Sequence, residues 1–120
     1  MSIRPLRIGV VGVGHLGHHH ARILSGLPDV DLVAVVDSDA GRAARVAAET
    51  GSHAETDPNV LLTSVDAVTL AVPTEAHQRI ALPFLQRGIP VLVEKPIAAS
   101  IEQADEMIAA AADAKTILAV

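Results

Sequence analysis

Five short runs of aliphatic residues divide the chain at nearly regular intervals. Each consists largely of Val, Leu, Ile and Ala and is bounded by Gly, Pro or Asp. Continuous apolar runs of this length are typical of strands buried on both faces of a sheet. We therefore predict strands at residues 6–11, 32–36, 67–72, 89–93 and 117–120.

The segments between these runs carry the start and stop signals of helices. Ser100, with Gln103 three residues later, has the form of a capping box for an alanine-rich helix. Thr74 is expected to cap a helix that continues to residue 87. The other predicted helices are 16–24, ended by Gly26; one capped by Asp39 and ended by Gly51; and a short one begun by Asp57 and Pro58.

Alternation of strands and helices at this spacing indicates right-handed crossovers onto a parallel sheet with helices on both faces. The expected fold class is therefore α/β, with a doubly wound, mostly parallel sheet. A chain of 120 residues suits one domain with a continuous core. No linker, low-complexity tract or repeat marks a boundary, so we predict a single domain over residues 1–120.

A glycine-rich turn follows the first predicted strand. Gly12, Gly14 and Gly17 form G-x-G-x-x-G just before the first helix, where the backbone can approach a pyrophosphate closely. The start of that helix offers free N–H groups and partial positive charge, which suit a diphosphate. The expected diphosphate-binding residues are Gly12, Val13, Gly14, His15, Leu16 and Gly17.

Asp37 strengthens the dinucleotide interpretation because it ends the second predicted strand about 20 residues after the motif. A carboxylate there can bind the adenosine ribose hydroxyls, and Ser38, which follows it directly, is also a candidate cofactor-binding residue. The same carboxylate repels a 2′-phosphate, so NAD is favoured over NADP. Two alternatives stay open: Asp37 simply begins a turn, or Arg42 accommodates the phosphate of NADP.

Composition removes several classes of function. The net charge is −5, Phe84 is the only aromatic residue, and basic residues do not cluster, so a nucleic-acid-binding surface is not expected. No apolar run reaches the length of a membrane span, and we expect a soluble cytoplasmic protein. Without cysteine there is neither a disulfide nor a thiolate site.

Four of the six histidines are close together, at His15, His18, His19 and His20. His15 and His19 are one helical turn apart, which raises the question of a shared metal ion. We expect none, because zinc would need further ligands and no thiolate is present. The backbone N–H of His15 is expected to matter more than its ring, and His53 is interpreted as a loop residue.

Two further motifs carry a resemblance to a known family. The segments 71–77, AVPTEAH, and 91–96, VLVEKP, begin within the last residues of the predicted strands 67–72 and 89–93 and continue beyond them. Together with the glycine turn and Asp37, they resemble the glucose-fructose oxidoreductase/inositol dehydrogenase (Gfo/Idh/MocA) family over the whole chain. The resemblance implies an N-terminal NAD(P)-binding Rossmann domain, and a second, C-terminal substrate domain that is absent from this chain.

The resemblance also implies roles for the residues that follow the predicted strand at 89–93. In the family the lysine of Glu-Lys-Pro lies by the nicotinamide and the substrate, which assigns Lys95 to substrate binding and to the proton balance of the oxidised hydroxyl. Glu94 and Pro96 would shape that loop. An ammonium beside the oxygen stabilises alkoxide character, so the chemistry agrees. The simpler alternative is that Lys95 is a surface lysine.

Val72, Pro73, Thr74 and His77 resemble the family's loop beside the nicotinamide ribose. We count them as candidate cofactor-binding residues, together with Glu94, Lys95 and Pro96. Their ordinary structural explanation stays open. Pro73 ends a strand, Thr74 caps a helix, and His77 lies in the first turn of that helix.

The function expected from the sequence is that of the NAD(P)-binding domain of a dehydrogenase. Hydride exchange would take place with a hydroxyl-bearing carbon of a sugar, polyol or nucleotide-sugar, and the 120 residues alone are expected to be inactive. The partner is thus a small sugar-like substrate in the intact enzyme. The alternative is a non-catalytic dinucleotide-sensing or interaction module. An exposed apolar patch could also drive self-association into a homo-oligomer.

Overall fold

The computed structural model describes residues 4–120, which form one sheet of six strands. The strands are β1 (Leu6–Val11), β2 (Val30–Val36), β3 (His53–Glu55), β4 (Ala67–Leu70), β5 (Val91–Val93) and β6 (Leu118–Ala119). They lie in the order β3-β2-β1-β4-β5-β6, and every neighbouring pair is parallel. The predicted doubly wound α/β fold is confirmed, with a sheet that is wholly parallel.

Four α-helices and two short 3-10 segments connect the strands. The helices are α1 (His15–Ser25), α2 (Ala40–Thr50), α3 (His77–Gln86) and α4 (Ile101–Asp113). The 3-10 segments are Pro58–Thr63 and Thr74–Ala76. In the part of the chain from residue 4 onward, no helix combines the length and the apolar character needed to cross a bilayer.

Helices cover both faces of the sheet. On one face, α1 and α2 pack on β1 and β2 through residues such as Ala21, Val46 and Val10. On the other, α3 and α4 pack on β4 and β5, with Phe84 and Met107 fully buried between them. Burial of a large apolar side chain contributes about 1.5–3 kcal/mol. A core of aliphatic residues and one aromatic ring therefore suffices for this fold.

One strand was not predicted. The interpretation of His53 as a loop residue is wrong, because it begins β3, which pairs with β2 from Ala34 to Val36. This edge strand has three residues, and both His53 and Ala54 are exposed. Since an exposed edge strand needs no apolar run, it leaves no hydrophobic signal in the sequence.

Two predicted caps take a different form. Thr74 does not cap α3, because it begins a 3-10 turn that leads directly into the helix at His77, where no side chain caps the first turn. At α4, the Oγ of Ser100 accepts the N–H of Gln103 at 3.1 Å, as predicted. The return bond of a capping box is missing, since the buried Oε1 of Gln103 has no hydrogen-bond partner among the described residues.

A single carboxylate joins the amino ends of β1 and β4. Asp66 accepts the backbone N–H of Arg7 at 2.9 Å and two N–H groups of its guanidinium at 3.1 and 3.3 Å. The side-chain bond to Arg7 is the main reason that the pKa of Asp66 lies below its usual value. The folded state therefore favours the ionised form of this carboxyl group.

We predict that Asp66→Asn lowers the melting temperature at neutral pH and that the difference from wild type shrinks in acid. The folded-state pKa lies below the usual value of 3.8. The stabilisation is thus fully present above the unfolded-state pKa and is lost as the pH falls through the folded-state pKa. Thermal unfolding between about pH 7 and pH 2 checks this. An equal difference at every pH would contradict it, and exposed Asp105→Asn is the control.

Candidate functional site

The candidate site lies at the carboxyl edge of the sheet, where the strand order reverses. Because β1 lies between β2 and β4, the chain leaves β1 and β4 toward opposite faces, and a crevice opens between the two connections. The backbone N–H of Gly12 donates to the carbonyl of Val36 at 2.7 Å, and that of Ala71 donates to Val11 at 2.8 Å. Ligands of open α/β sheets bind in such a crevice.

The three glycines of the turn have different roles. Gly12 has a φ of 90°, and a Cβ there would lie 2.6 Å from the carbonyl oxygen of Ala71. A Cβ at Gly17 would overlap the carbonyl oxygen of Gly12, so only glycine lets α1 pack against the turn. At Gly14, no atom lies within 4 Å of the Cβ position. The space above Gly14 is therefore free for a ligand to approach the backbone.

The N-terminus of α1 lacks a side-chain cap. Gly14 occupies the N-cap position, and the first turn contains no acidic residue. By contrast, Asp39 accepts the N–H of Arg42 at the start of α2, and Ser100 caps α4. That bond from Arg42 is also the main reason that the pKa of Asp39 is lowered. The uncapped N–H groups and the helix dipole of α1 suit an anion.

Asp37 directly follows β2 and hydrogen-bonds to the glycine turn. This residue is only 8% exposed, and its Oδ2 accepts the backbone N–H of Val13 at 3.0 Å. Its Oδ1 accepts the N–H of Asp39 at 2.9 Å, while Nη1 of Arg42 lies 3.5 Å from Oδ2. Because an ionised carboxylate has about four lone-pair positions, Oδ1 retains capacity for a ligand hydroxyl. The bond to Val13 is a structural role that the sequence did not indicate.

A cleft of about 390 Å³ opens between the glycine turn, the end of β2 and the segment after β4. Its volume lies in the range of small-molecule sites. It brings together residues that are distant in sequence and that we predicted as cofactor-binding. These are Gly12, Asp37, Ser38, Val72 and Pro73.

Several residues of this cleft were not predicted. Arg79, on α3, contributes a second cation beside Arg42, and Thr56, Pro58 and Ala76 also line the walls. An arginine on a helix is so commonly a solvated surface residue that its sequence position gives no signal of a site. Only the fold, which brings α3 opposite the end of β2, shows that Arg79 faces the same space.

The loop between β5 and α4 starts at the same edge of the sheet, but β4 separates its strand from β1. It contains Glu94, Lys95 and Pro96, which do not line the cleft. Lys95 is exposed and, within residues 4–120, forms no ion pair. Glu94 lies with Oε1 3.5 Å from Nε2 of His20 on α1. The ammonium group of Lys95 is therefore available to a ligand.

His77 is enclosed by protein. It is 1% exposed, and its two ring nitrogens lie 3.1 Å from the carbonyl oxygens of Ile97 and Val72. The ring does not open into the cleft, so any part that it plays at the site acts through these two backbone segments. Thr74 lies next to Pro73 and is half-buried.

The histidines of α1 contact one another or single acidic side chains on other segments. His15 and His19 share a helix face, as predicted, with ring centroids 4.9 Å apart. His18 instead contacts Glu49 on α2, with Nε2 and Oε2 2.6 Å apart. Across the described range, no three His, Asp or Glu side chains are grouped closely enough to hold a metal ion.

Comparison with known proteins gives a family match over almost the whole chain. Residues 6–120 match GFO_IDH_MocA, described as an oxidoreductase family with an NAD-binding Rossmann fold. The chain is 40% identical over 115 residues to UDP-N-acetylglucosamine 3-dehydrogenase of Acidithiobacillus ferrooxidans. The matched region covers 96% of this chain and 36% of that protein. It is 48% identical over 101 residues to inositol 2-dehydrogenase 4 of Saccharopolyspora erythraea, with coverage of 81% and 30%. The chain thus spans about a third of these relatives.

Solved structures agree with the fold. GenD2 from gentamicin A biosynthesis, in complex with NAD, superposes with a TM-score of 0.91 at 35% identity over 98% of this chain and 34% of its own. A mutant of KijD10, a 3-ketoreductase from Actinomadura kijaniata, binds TDP-benzene and NADP. It superposes with a TM-score of 0.87 at 26% identity, with coverage of 96% and 38%. Both cofactor types therefore occur among similar structures.

Proposed function

This chain belongs to the Gfo/Idh/MocA oxidoreductase family, and we propose that it binds NAD(H) for exchange of a hydride with a hydroxyl-bearing carbon of a sugar, polyol or nucleotide-sugar. One observation carries the proposal. The glycine turn, which is hydrogen-bonded to Asp37, leads into the N-terminus of α1, where there is no side-chain cap and the space above Gly14 is open. The substrate class rests on relatives named for UDP-N-acetylglucosamine and inositol.

The diphosphate of the dinucleotide fits the turn between β1 and α1. The backbone of Gly14, His15 and Leu16 would hold it, while Gly12, Gly17 and the bond from Val13 to Asp37 set the shape of the turn. Hydrogen bonds to charged oxygens are worth about twice those between neutral groups. The N–H groups at this helix start are therefore the main source of affinity in the proposal.

The adenosine half fits the β2 side of the cleft. Asp37 would accept ribose hydroxyls through Oδ1, with Ser38 beside it. A 2′-phosphate would meet the negative charge of Asp37, which favours NAD(H). Arg42 is 3.5 Å from that carboxylate and Arg79 lines the same cleft, so the site also has cations that could partly offset the repulsion of NADP(H).

The nicotinamide half is assigned to the carboxyl ends of β4 and β5, because a doubly wound sheet holds the two halves of a dinucleotide on either side of its switch point. Val72, Pro73 and Thr74 lie at the first of these ends, and the loop with Glu94 and Pro96 at the second. Bound nicotinamide supplies hydride exchange. Lys95 supports that exchange from the substrate side.

Lys95 would act at the reacting oxygen of the substrate. Oxidation of an alcohol requires loss of its hydroxyl proton, and a nearby ammonium stabilises the negative charge that develops on that oxygen. Lys95 is exposed and has no carboxylate partner in the described chain. Because this chain spans about a third of its relatives, we infer that further polypeptide completes the substrate site.

Parallel fluorescence titrations with NADH and NADPH test the cofactor assignment. We predict that wild type binds NADH more tightly and that Asp37→Ala reduces the ratio of the two affinities by about tenfold. The ratio is the informative quantity, because loss of the bond to Val13 weakens binding of both cofactors alike. Asp105→Ala, at an exposed position on α4, is the control and should leave the ratio unchanged.

An unchanged ratio in Asp37→Ala would refute the ribose role of Asp37. Failure of wild type to bind either cofactor would refute the proposed function itself, since the fold and the glycine turn are intact in that protein.

Lys95 can be tested in a fusion of this chain with the remainder of the Acidithiobacillus relative. We predict that Lys95→Met lowers kcat by about 100-fold or more, while the affinity for NADH changes less than about threefold, because stabilisation of the negative charge on the substrate oxygen is lost and the dinucleotide site is retained. Steady-state kinetics and NADH titration provide the two values. Lys115→Met is the control, and equal losses of kcat and affinity would indicate a folding role instead.

A further inference from the structure

One buried histidine joins the two loops assigned to the nicotinamide half. His77 is the first residue of α3 and is 1% exposed. Its Nδ1 lies 3.1 Å from the carbonyl oxygen of Ile97, and its Nε2 lies 3.1 Å from that of Val72. The ring therefore spans the distance between the segment after β4 and the segment after β5.

Both partners of this ring are hydrogen-bond acceptors. A protonated imidazole donates to both carbonyl groups, whereas a neutral imidazole donates through its one N–H to a single carbonyl and faces the other with an unprotonated nitrogen. In either form, the ring fixes the separation of the two backbone segments. A buried polar ring with no partner would carry a desolvation cost, and a hydrogen bond from the ring to a backbone carbonyl offsets that cost.

The segment held by His77 is the one that carries Lys95. Ile97 is two residues beyond Lys95, and Glu94 on the other side lies 3.5 Å from His20 of α1. The loop is thus contacted from both ends by histidines of different helices, while the side chain of Lys95 between them is exposed. Its backbone is fixed and its ammonium group is left accessible.

We propose that His77 is a positioning residue that sets the Lys95 loop against the Val72–Pro73 segment, so that both meet the nicotinamide. This inference rests on the proposed binding of NAD(H). The adenosine and diphosphate contacts are made by other residues around β1 and β2, so loss of His77 affects the nicotinamide end selectively.

Binding of NADH and of ADP-ribose to the same variants isolates that end of the site. ADP-ribose carries the adenosine and the diphosphate but no nicotinamide. Three replacements separate the two contacts of the ring. His77→Asn places an amide N–H near the position of Nδ1 and keeps the link to Ile97, whereas His77→Gln places an amide N–H near the position of Nε2 and keeps the link to Val72. His77→Leu keeps neither link.

We expect His77→Leu to lower the NADH affinity relative to that of ADP-ribose by about three- to tenfold, the effect of about one hydrogen bond. His77→Asn should lose less of this ratio than His77→Leu, because it keeps the link to the loop that carries Lys95 although the link to Val72 is lost. His77→Gln should resemble His77→Leu. Exposed His53→Leu, on β3, is the control and should match wild type in both titrations.

The outcomes distinguish this inference from the proposed function. If wild type binds neither ligand, the proposed function fails and the positioning role fails with it. If wild type binds ADP-ribose but His77→Leu weakens both ligands equally, His77 is only a folding residue. A ratio unchanged in all three variants, or preserved better by His77→Gln than by His77→Asn, would also overturn the assignment to the Lys95 loop.

Discussion

The bond between the backbone N–H of Val13 and the carboxylate of Asp37 holds the proposed cofactor site together. It joins the turn after β1 to the end of β2 inside a nearly buried environment, at 3.0 Å. The bond from the N–H of Gly12 to the carbonyl of Val36 joins the turn to the same strand. The same carboxylate reaches the cleft, so one side chain both shapes the diphosphate turn and faces the expected ribose.

Much of the fold could be predicted because its main determinants are local. Aliphatic runs mark five of the six strands with an error of at most two residues at any end, and Asp39 and Ser100 mark two helix starts. The edge strand β3 was not predicted, because only buried strands need apolar runs and β3 is largely exposed. The prediction that Thr74 caps α3 was wrong for another reason. A 3-10 turn precedes α3 in place of a side-chain cap, and residue propensity does not distinguish a capping threonine from one that begins a 3-10 turn.

The candidate site could be predicted only in part, because its residues are related to one another through the sheet. Spacing along the chain was enough for the glycine turn and Asp37, which the fold brings into one crevice. It gave no information on Arg79 or on the contacts of His77, whose partners lie 5 and 20 residues away. The placement of Arg79 and the contacts of His77 depend on which strands are neighbours in the sheet, and spacing along the chain does not specify that order.

The most direct test of this account is calorimetric titration of ADP-ribose into Gly14→Ala, with thermal unfolding of the same protein. A methyl group at this position meets no protein atom, so the account predicts a folded variant with a loss of about 1 kcal/mol at most. The methyl would occupy the space through which the diphosphate approaches the backbone, and affinity should fall by about tenfold or more. Undiminished affinity in a folded variant would contradict the placement of the diphosphate.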